Sequence, residues 1–221
     1  MPIKDEIEFA VNGEPRCPVV ILLDTSGSMS GQPINELNNG LSTFKQSVEE
    51  DNLASLRVEL AFITFGPVQM RQDFVTVDQW TPERYDADNV TPMGEAINYA
   101  LDILEDRKQT YKDNGIQYYR PWVFLVTDGA PTDQWQTSAQ RLKQAFDQKK
   151  LQFFAVGVQG ADMNTLKQIA PDPAFPPVAL NGLDFSSMFK WLSASLSSVS
   201  HSTPGSGQAT IQQPAWGTIA T

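Results

Sequence analysis

Five oxygen-bearing side chains in three separate stretches of the sequence have the types and spacing of a metal site. Three alternate in one stretch, as Asp24-x-Ser26-x-Ser28, and the other two are Thr91 and Asp128. All five are hard oxygen donors, the ligand type that Mg²⁺ prefers in octahedral geometry. The sequence therefore predicts a Mg²⁺ site, with water completing the coordination. Mn²⁺ and Ca²⁺ also accept hard oxygen ligands and stay as alternatives.

The alternating spacing of the first three residues has a physical reason. Residues two apart in an extended or tightly turned loop can point the same way, and Gly27 relieves crowding in the turn. If Asp128 binds only through water, the inner ligands carry one negative charge against the two positive charges of the ion. Such a metal stays electrophilic, so we expect it to accept a carboxylate from a partner protein although the chain is acidic.

Apolar runs next to these residues predict the elements that position them. Residues 19–23 (VVILL) end at Asp24 and residues 122–127 (WVFLVT) end at Asp128, whereas Thr91 lies just before a predicted helix. Runs without polar alternation are typical of parallel strands that are buried on both faces. Ligands bind at the carboxyl ends of the strands in an open α/β sheet, so the three stretches should meet there.

The order of elements along the chain indicates the fold class. Strands alternate with helices, which implies crossover connections and a mostly parallel sheet covered on both faces. Residues 68–77 are more polar and indicate an exposed edge strand. We expect a Rossmann-like α/β domain with a central sheet of about six strands, one of them an antiparallel edge strand. Gly94 is interpreted as a helix-packing glycine, and Asp133 as the N-cap of the helix that follows it.

Changes in composition divide the chain into three parts. Residues 1–17 form a polar lead-in, residues 18–200 the domain, and residues 201–221 a flexible tail of low charge and small residues. The hydroxyl groups of the tail leave an alternative, in which a partner kinase phosphorylates it and so regulates the protein. The polar stretch 105–121 contains three tyrosines and is either a partner surface or a cover over a sheet edge.

Composition and charge argue against several classes of partner. The chain has 221 residues and a formal net charge of −10, which argues against nucleic acid and anionic membranes. Its longest apolar runs are too short to span a membrane, and its single cysteine, Cys17, excludes an internal disulfide. No secretory signal is visible at the N-terminus, so we expect a cytoplasmic protein.

Enzyme classes are disfavoured at specific positions. The sequence lacks the glycine-rich phosphate loop and the GxSxG nucleophile motif, and its single histidine, His201, lies in the predicted tail. A metal-dependent phosphohydrolase with Asp24 as the nucleophile is an alternative, but that chemistry needs a second aspartate where Ser26 stands. We therefore expect a binding module and no enzymatic activity.

Three segments, VVILLDTSGSM, TPMGEAI and WVFLVTDGAPTD, resemble the von Willebrand factor A domain family. The resemblance implies a metal-ion-dependent adhesion site that docks an acidic residue of a partner, with the ligands Asp24, Ser26, Ser28, Thr91 and Asp128. The longer segment NGIQYYRPWVFLVTDGAPTD is similar to bacterial TerY-like proteins. This similarity implies a part in tellurite-resistance and stress signalling, with protein kinases and phosphatases as partners.

Overall fold

A seven-stranded sheet organises the computed structural model, which describes residues 8–205 and 211–219. Parts of the predicted lead-in (1–7) and tail (206–210 and 220–221) lie outside the described residues. The elements are β1 (Cys17–Asp24), α1 (Gln32–Glu49), α2 (Asn52–Arg57), β2 (Val58–Phe65), β3 (Gln69–Thr76), α3 (Met93–Asp113), β4 (Trp122–Thr127), α4 (Gln136–Asp147), β5 (Gln152–Gly157), α5 (Met163–Ile169), β6 (Val178–Leu180), α6 (Phe185–Ser200) and β7 (Gly217–Ile219).

The strand order is β3-β2-β1-β4-β5-β6-β7. The inner strands are parallel, and β3 and β7 run antiparallel at the two edges. The expected fold class is confirmed, with seven strands rather than about six and with two antiparallel edge strands rather than one. β1 pairs with both β2 and β4, and Leu23 lies opposite Val126 in the register. The carboxyl ends of β1 and β4 are therefore neighbours.

The central strand β1 packs against helices on both faces of the sheet. Val19, Ile21 and Leu23 belong to the apolar cluster that includes α1 and α6, whereas Val20 and Leu22 belong to the cluster with α3. All five are fully buried, and each burial stabilises the fold by roughly 1.5–3 kcal/mol. Burial on both faces explains why this run is apolar without alternation. Within the described ranges, no helix combines the length and apolarity needed to cross a bilayer.

The C-terminal segment differs from the flexible tail expected for residues 201–221. β7 pairs with β6, and Trp216, which is 6% exposed, packs 5.8 Å from the ring of Trp191. The indole N–H of Trp191 also donates to the carbonyl of Gln212 at 2.9 Å. One large apolar side chain thus anchors a stretch of small residues. A strand of three residues is too short to show an alternating apolar pattern, so the sequence does not predict it.

The tyrosines of the polar stretch 105–121 cover the amino end of the sheet. Tyr111 and Tyr119 are buried, and the hydroxyl of Tyr111 donates to the carboxylate of Glu59, which also pairs with Arg107. Burial raises the pKa of Tyr111 well above its usual value, so the phenol is a neutral donor. Of the two interpretations left open by the sequence, these two tyrosines support cover, although Tyr111 covers the amino end of the inner strand β2 and not a sheet edge.

Candidate metal centre

Four of the five predicted ligands are directly linked at the carboxyl end of the sheet. Asp24 ends β1, and Asp128 follows the last residue of β4. The backbone N–H of Ser26 donates to Oδ1 of Asp24 at 2.8 Å. The hydroxyl of Ser28 donates to Oδ1 of Asp128 at 2.7 Å and lies 3.1 Å from the hydroxyl oxygen of Ser26. Residues 100 positions apart are therefore in contact, as the strand pattern predicts.

Thr91 reaches the same place through the turn after β4. A Cβ atom at Gly129 would lie 3.3 Å from Oγ1 of Thr91 and 3.9 Å from Oδ2 of Asp24, so both oxygens border this glycine. Thr132 donates its backbone N–H to the Thr91 carbonyl at 2.9 Å and accepts the Thr91 N–H at 3.1 Å. Because one loop carries both Asp128 and Thr132, it fixes Thr91 relative to Asp128.

The loop after β1 is also held in place by contacts with two other loops, which carry Asn89 and Gly66. The backbone N–H of Gly27 donates to the carbonyl of Asn89 at 3.0 Å. A Cβ atom at Gly66 would lie only 2.8 Å from the backbone nitrogen of Ser26, and Gly66 has φ = 140°. Only glycine combines that backbone conformation with so close an approach. The convergent direction of Ser26 and Ser28 thus depends on contacts from two other loops.

Both carboxylates are buried, and no cationic side chain among the described residues pairs with either of them. Asp24 is 0% exposed and Asp128 is 7% exposed, whereas Ser28 lies on the exposed rim. Burial raises the pKa of Asp24; hydrogen bonds from Ser26 and Thr127 oppose the rise, and the charge of Asp128 adds to it. Burial likewise raises the pKa of Asp128, against the hydrogen bond from Ser28. A cation between them would stabilise both charged forms.

The two serine hydroxyl groups direct their protons along a chain that ends at the Asp128 carboxylate, and each oxygen keeps at least one free lone pair. Ser28 donates its single proton to Asp128, so the proton between the two serines comes from Ser26. The lone pairs that these oxygens retain suit a hard divalent cation. No group of three or more His, Cys, Asp and Glu side chains in residues 8–205 and 211–219 is arranged to hold a metal. The site therefore fits a divalent cation only when the hydroxyl oxygens of serine and threonine are counted among the ligands.

Two residues near the site have roles that the sequence did not reveal. Thr127, the last residue of β4, donates its hydroxyl proton to Oδ2 of Asp24. Asp133 caps α3 rather than the helix that follows it, because its carboxylate accepts the backbone N–H groups of Gly94 at 3.1 Å and Glu95 at 2.8 Å. A Cβ atom at Gly94 would lie 2.8 Å from the Cα of Trp135, so its packing role is confirmed. No local pattern predicts a cap that is 39 residues distant.

The sequence model of the von Willebrand factor type A domain matches residues 19–190. The chain belongs to this family. The match concerns the von Willebrand factor type A domain as a whole and does not single out the TerY-like subgroup. No curated protein sequence matches the chain.

Solved structures share the fold of this von Willebrand factor type A domain at low identity. The pilus adhesin SpaC of Lactobacillus rhamnosus GG, in an open conformation, has a TM-score of 0.67 and 13% identity, over 83% of this chain and 30% of the adhesin. Proximal thread matrix protein 1 of the mussel byssus, with a zinc-occupied MIDAS motif, has a TM-score of 0.54 and 17% identity, over 83% of this chain and 48% of that protein. The manganese-loaded TRAP protein of Plasmodium vivax has a TM-score of 0.52 and 17% identity, over 78% of this chain and 71% of that one. The chain thus spans about half of the mussel protein and under a third of the adhesin.

Proposed function

We propose that this von Willebrand factor type A domain is a metal-dependent interaction module. It binds one divalent cation, Mg²⁺ in the cell, and the bound ion docks an acidic side chain of a partner protein. The observation that carries the proposal is the meeting of three hydroxyl oxygens with two buried carboxylates, which have no cationic neighbour within residues 8–205 and 211–219. The proposed ligands are Asp24, Ser26, Ser28, Thr91 and Asp128.

The charge of the site supports docking of a partner rather than a structural ion whose coordination is completed by this chain alone. Oδ1 of the Asp128 carboxylate already accepts the hydroxyl proton of Ser28. When Asp128 contacts the ion only through water, Asp24 is the one carboxylate that binds the ion directly. The ion then keeps a net positive charge and attracts a further carboxylate. Because Ser28 is exposed while Asp24 is buried, this further ligand arrives from the side of Ser28.

The proposal assigns no turnover to the domain. Position 26 holds serine where a phosphohydrolase that uses Asp24 needs a second aspartate. The single histidine, His201, lies 2.9 Å from Asp51 at the end of α6 and not among the proposed ligands. Hydrolysis of p-nitrophenyl phosphate by the wild type, lost in Asp24→Asn, would revive the phosphohydrolase alternative.

The first test is titration calorimetry of the metal-free protein with Mg²⁺ and with Mn²⁺. We expect one site in the wild type and none in Asp24→Asn, which keeps the shape of the side chain but removes its charge. Asp162→Asn is the matched control, because Asp162 caps α5 at the same end of the sheet. Absence of binding to the wild type, or equal binding to both variants, contradicts the proposed site.

Docking is tested by capture of partners from lysate of the native host, in Mg²⁺ and in EDTA, on wild type and Asp24→Ala. We expect a protein retained only by the wild type in Mg²⁺. Its acidic residues are then changed one at a time to amides, and one of these changes should abolish retention. A partner retained in every lane would mean that recognition uses another surface.

For the pathway, we propose cytoplasmic stress signalling of the tellurite-resistance type, with a protein kinase or phosphatase as the partner. The supporting observation is the resemblance of the segment NGIQYYRPWVFLVTDGAPTD to TerY-like proteins. Mass spectrometry of the proteins captured in Mg²⁺ tests this assignment. A reproducible set that contains neither enzyme class contradicts the pathway and leaves the metal site untouched.

A further inference from the structure

We infer that Thr127 is a positioning residue of the metal site, whose hydroxyl group holds the Asp24 carboxylate in the orientation that binds the ion. Thr127 is not one of the five proposed ligands and lies outside the DxSxS motif. The inference rests on the proposed function, because it assigns to Thr127 an effect on metal affinity.

The position of Thr127 makes its hydroxyl a bridge between two strands. Thr127 is the last residue of β4, is 0% exposed, and follows Val126, which lies opposite Leu23 in the register. Its Oγ1 donates to Oδ2 of Asp24 and accepts the backbone N–H of Gly129 at 3.2 Å. One buried oxygen therefore connects the first ligand to the turn that borders Thr91.

The direction of the hydroxyl proton follows from its two partners. The backbone N–H of Gly129 can only donate, so it occupies a lone pair of the Thr127 oxygen. The single hydroxyl proton is then committed to Asp24, whose ionised carboxylate only accepts. The chain of donors runs from Gly129 through Thr127 to Asp24, and each bond in such a chain polarises the next.

This arrangement fixes both oxygens of the Asp24 side chain. Oδ1 accepts the backbone N–H of Ser26 and Oδ2 accepts the hydroxyl of Thr127, so rotation of the carboxylate breaks one bond or both. The remaining lone pairs keep a fixed direction for the ion. Without the hydroxyl, Oδ2 and the Gly129 N–H both lose a buried partner, and the carboxylate becomes free to turn. Loss of a residue that orients a metal ligand through a hydrogen bond, without touching the metal, lowers metal affinity by about 10- to 100-fold.

The test compares Mn²⁺ affinity by titration calorimetry in Thr127→Val, Thr127→Ser and the wild type. Valine has the shape of threonine without the hydroxyl, so we expect affinity to fall by about 10- to 100-fold. Serine keeps the hydroxyl, so we expect it to restore most of the affinity. Thr64→Val is the matched control, because Thr64 is a buried strand residue of β2 with no side-chain hydrogen bond to the described residues, and it should bind as the wild type does.

Each outcome separates this inference from the proposed function. Equal binding by wild type and Thr127→Val overturns the inference, whereas no binding by the wild type overturns the proposed function itself. A loss in Thr127→Ser as large as the loss in Thr127→Val would show that the hydroxyl group by itself does not maintain metal affinity, and so would overturn the inference. If Thr127→Val does not fold, Thr127→Ala is compared with Thr127→Ser, which differ by one oxygen atom. Equal affinity of that pair overturns the inference as well.

Discussion

At the scale of single residues, the site depends on where each hydroxyl group sends its proton. Ser28 donates to Asp128 and Thr127 donates to Asp24, so two buried carboxylates are held by neutral groups rather than by cationic side chains. This keeps the two negative charges available to a metal ion. A lysine or arginine in the same place would neutralise the charge of the carboxylates and so weaken their attraction for a metal cation.

Gly129→Ala tests the closeness of Thr91 to Asp24. The added Cβ would lie 3.3 Å from Oγ1 of Thr91, which is tighter than ordinary contact, so the Thr91 hydroxyl must shift. We expect metal affinity, measured by calorimetry, to fall by about tenfold while the fold is kept. Gly13→Ala is the control, since the one contact of its Cβ with the described part of the chain would be the Phe9 carbonyl at 4.0 Å. Unchanged affinity in Gly129→Ala would exclude Thr91 as a ligand that this turn positions.

At the scale of elements, the loop between β4 and α4 organises the site. It carries Asp128, and through Thr132 it holds both backbone groups of Thr91. It also supplies Asp133, whose carboxylate caps α3, a helix whose own N-cap position is Pro92 and gives no side-chain bond. This one loop therefore positions two of the proposed ligands and the first turn of α3.

Asp133→Ala should weaken both the fold and the metal site. Loss of an N-cap costs about 1 kcal/mol of stability, which urea unfolding would measure. Because the cap holds the residues just after Thr91, metal affinity should fall too. The control is Asp162→Ala, which removes the cap of α5 and should lower stability without lowering affinity. A loss of affinity in both variants would show that general destabilisation, and not the position of Thr91, is responsible.

At the scale of the whole molecule, the sheet keeps the metal site and the C-terminal segment apart. The site lies where β1 and β4 end, in the middle of the sheet, whereas β7 closes one edge beyond β5 and β6. Trp216 anchors this edge against Trp191 and a ring of apolar residues. Closure of the edge by β7 also protects the backbone groups of β6 from pairing with other chains.

Trp216→Ala should therefore destabilise the fold without affecting metal binding. Removal of a large buried aromatic side chain costs about 3–5 kcal/mol in a well-packed core, and we expect the lower end at a sheet edge. Urea unfolding measures the loss, and faster hydrogen exchange in β6 would locate it. Leu56→Ala, at an exposed apolar position, is the control. Unchanged stability and exchange in Trp216→Ala would support a flexible C-terminal tail, as the composition of residues 201–221 predicts.

The sequence alone determined the fold class, the main strands and helices, and the family of this protein. It could do so because buried parallel strands are uniform apolar runs, helices repeat their apolar positions every three to four residues, and the DxSxS motif is local. Only the tertiary structure revealed the bridge from Thr127 to Asp24, the cap that Asp133 places on α3, and strand β7. The first two are hydrogen bonds between residues 103 and 39 positions apart, and the third depends on a surface that forms only when the sheet has folded. Local sequence patterns predict the helices and strands, whereas contacts between distant residues depend on how those helices and strands pack against each other.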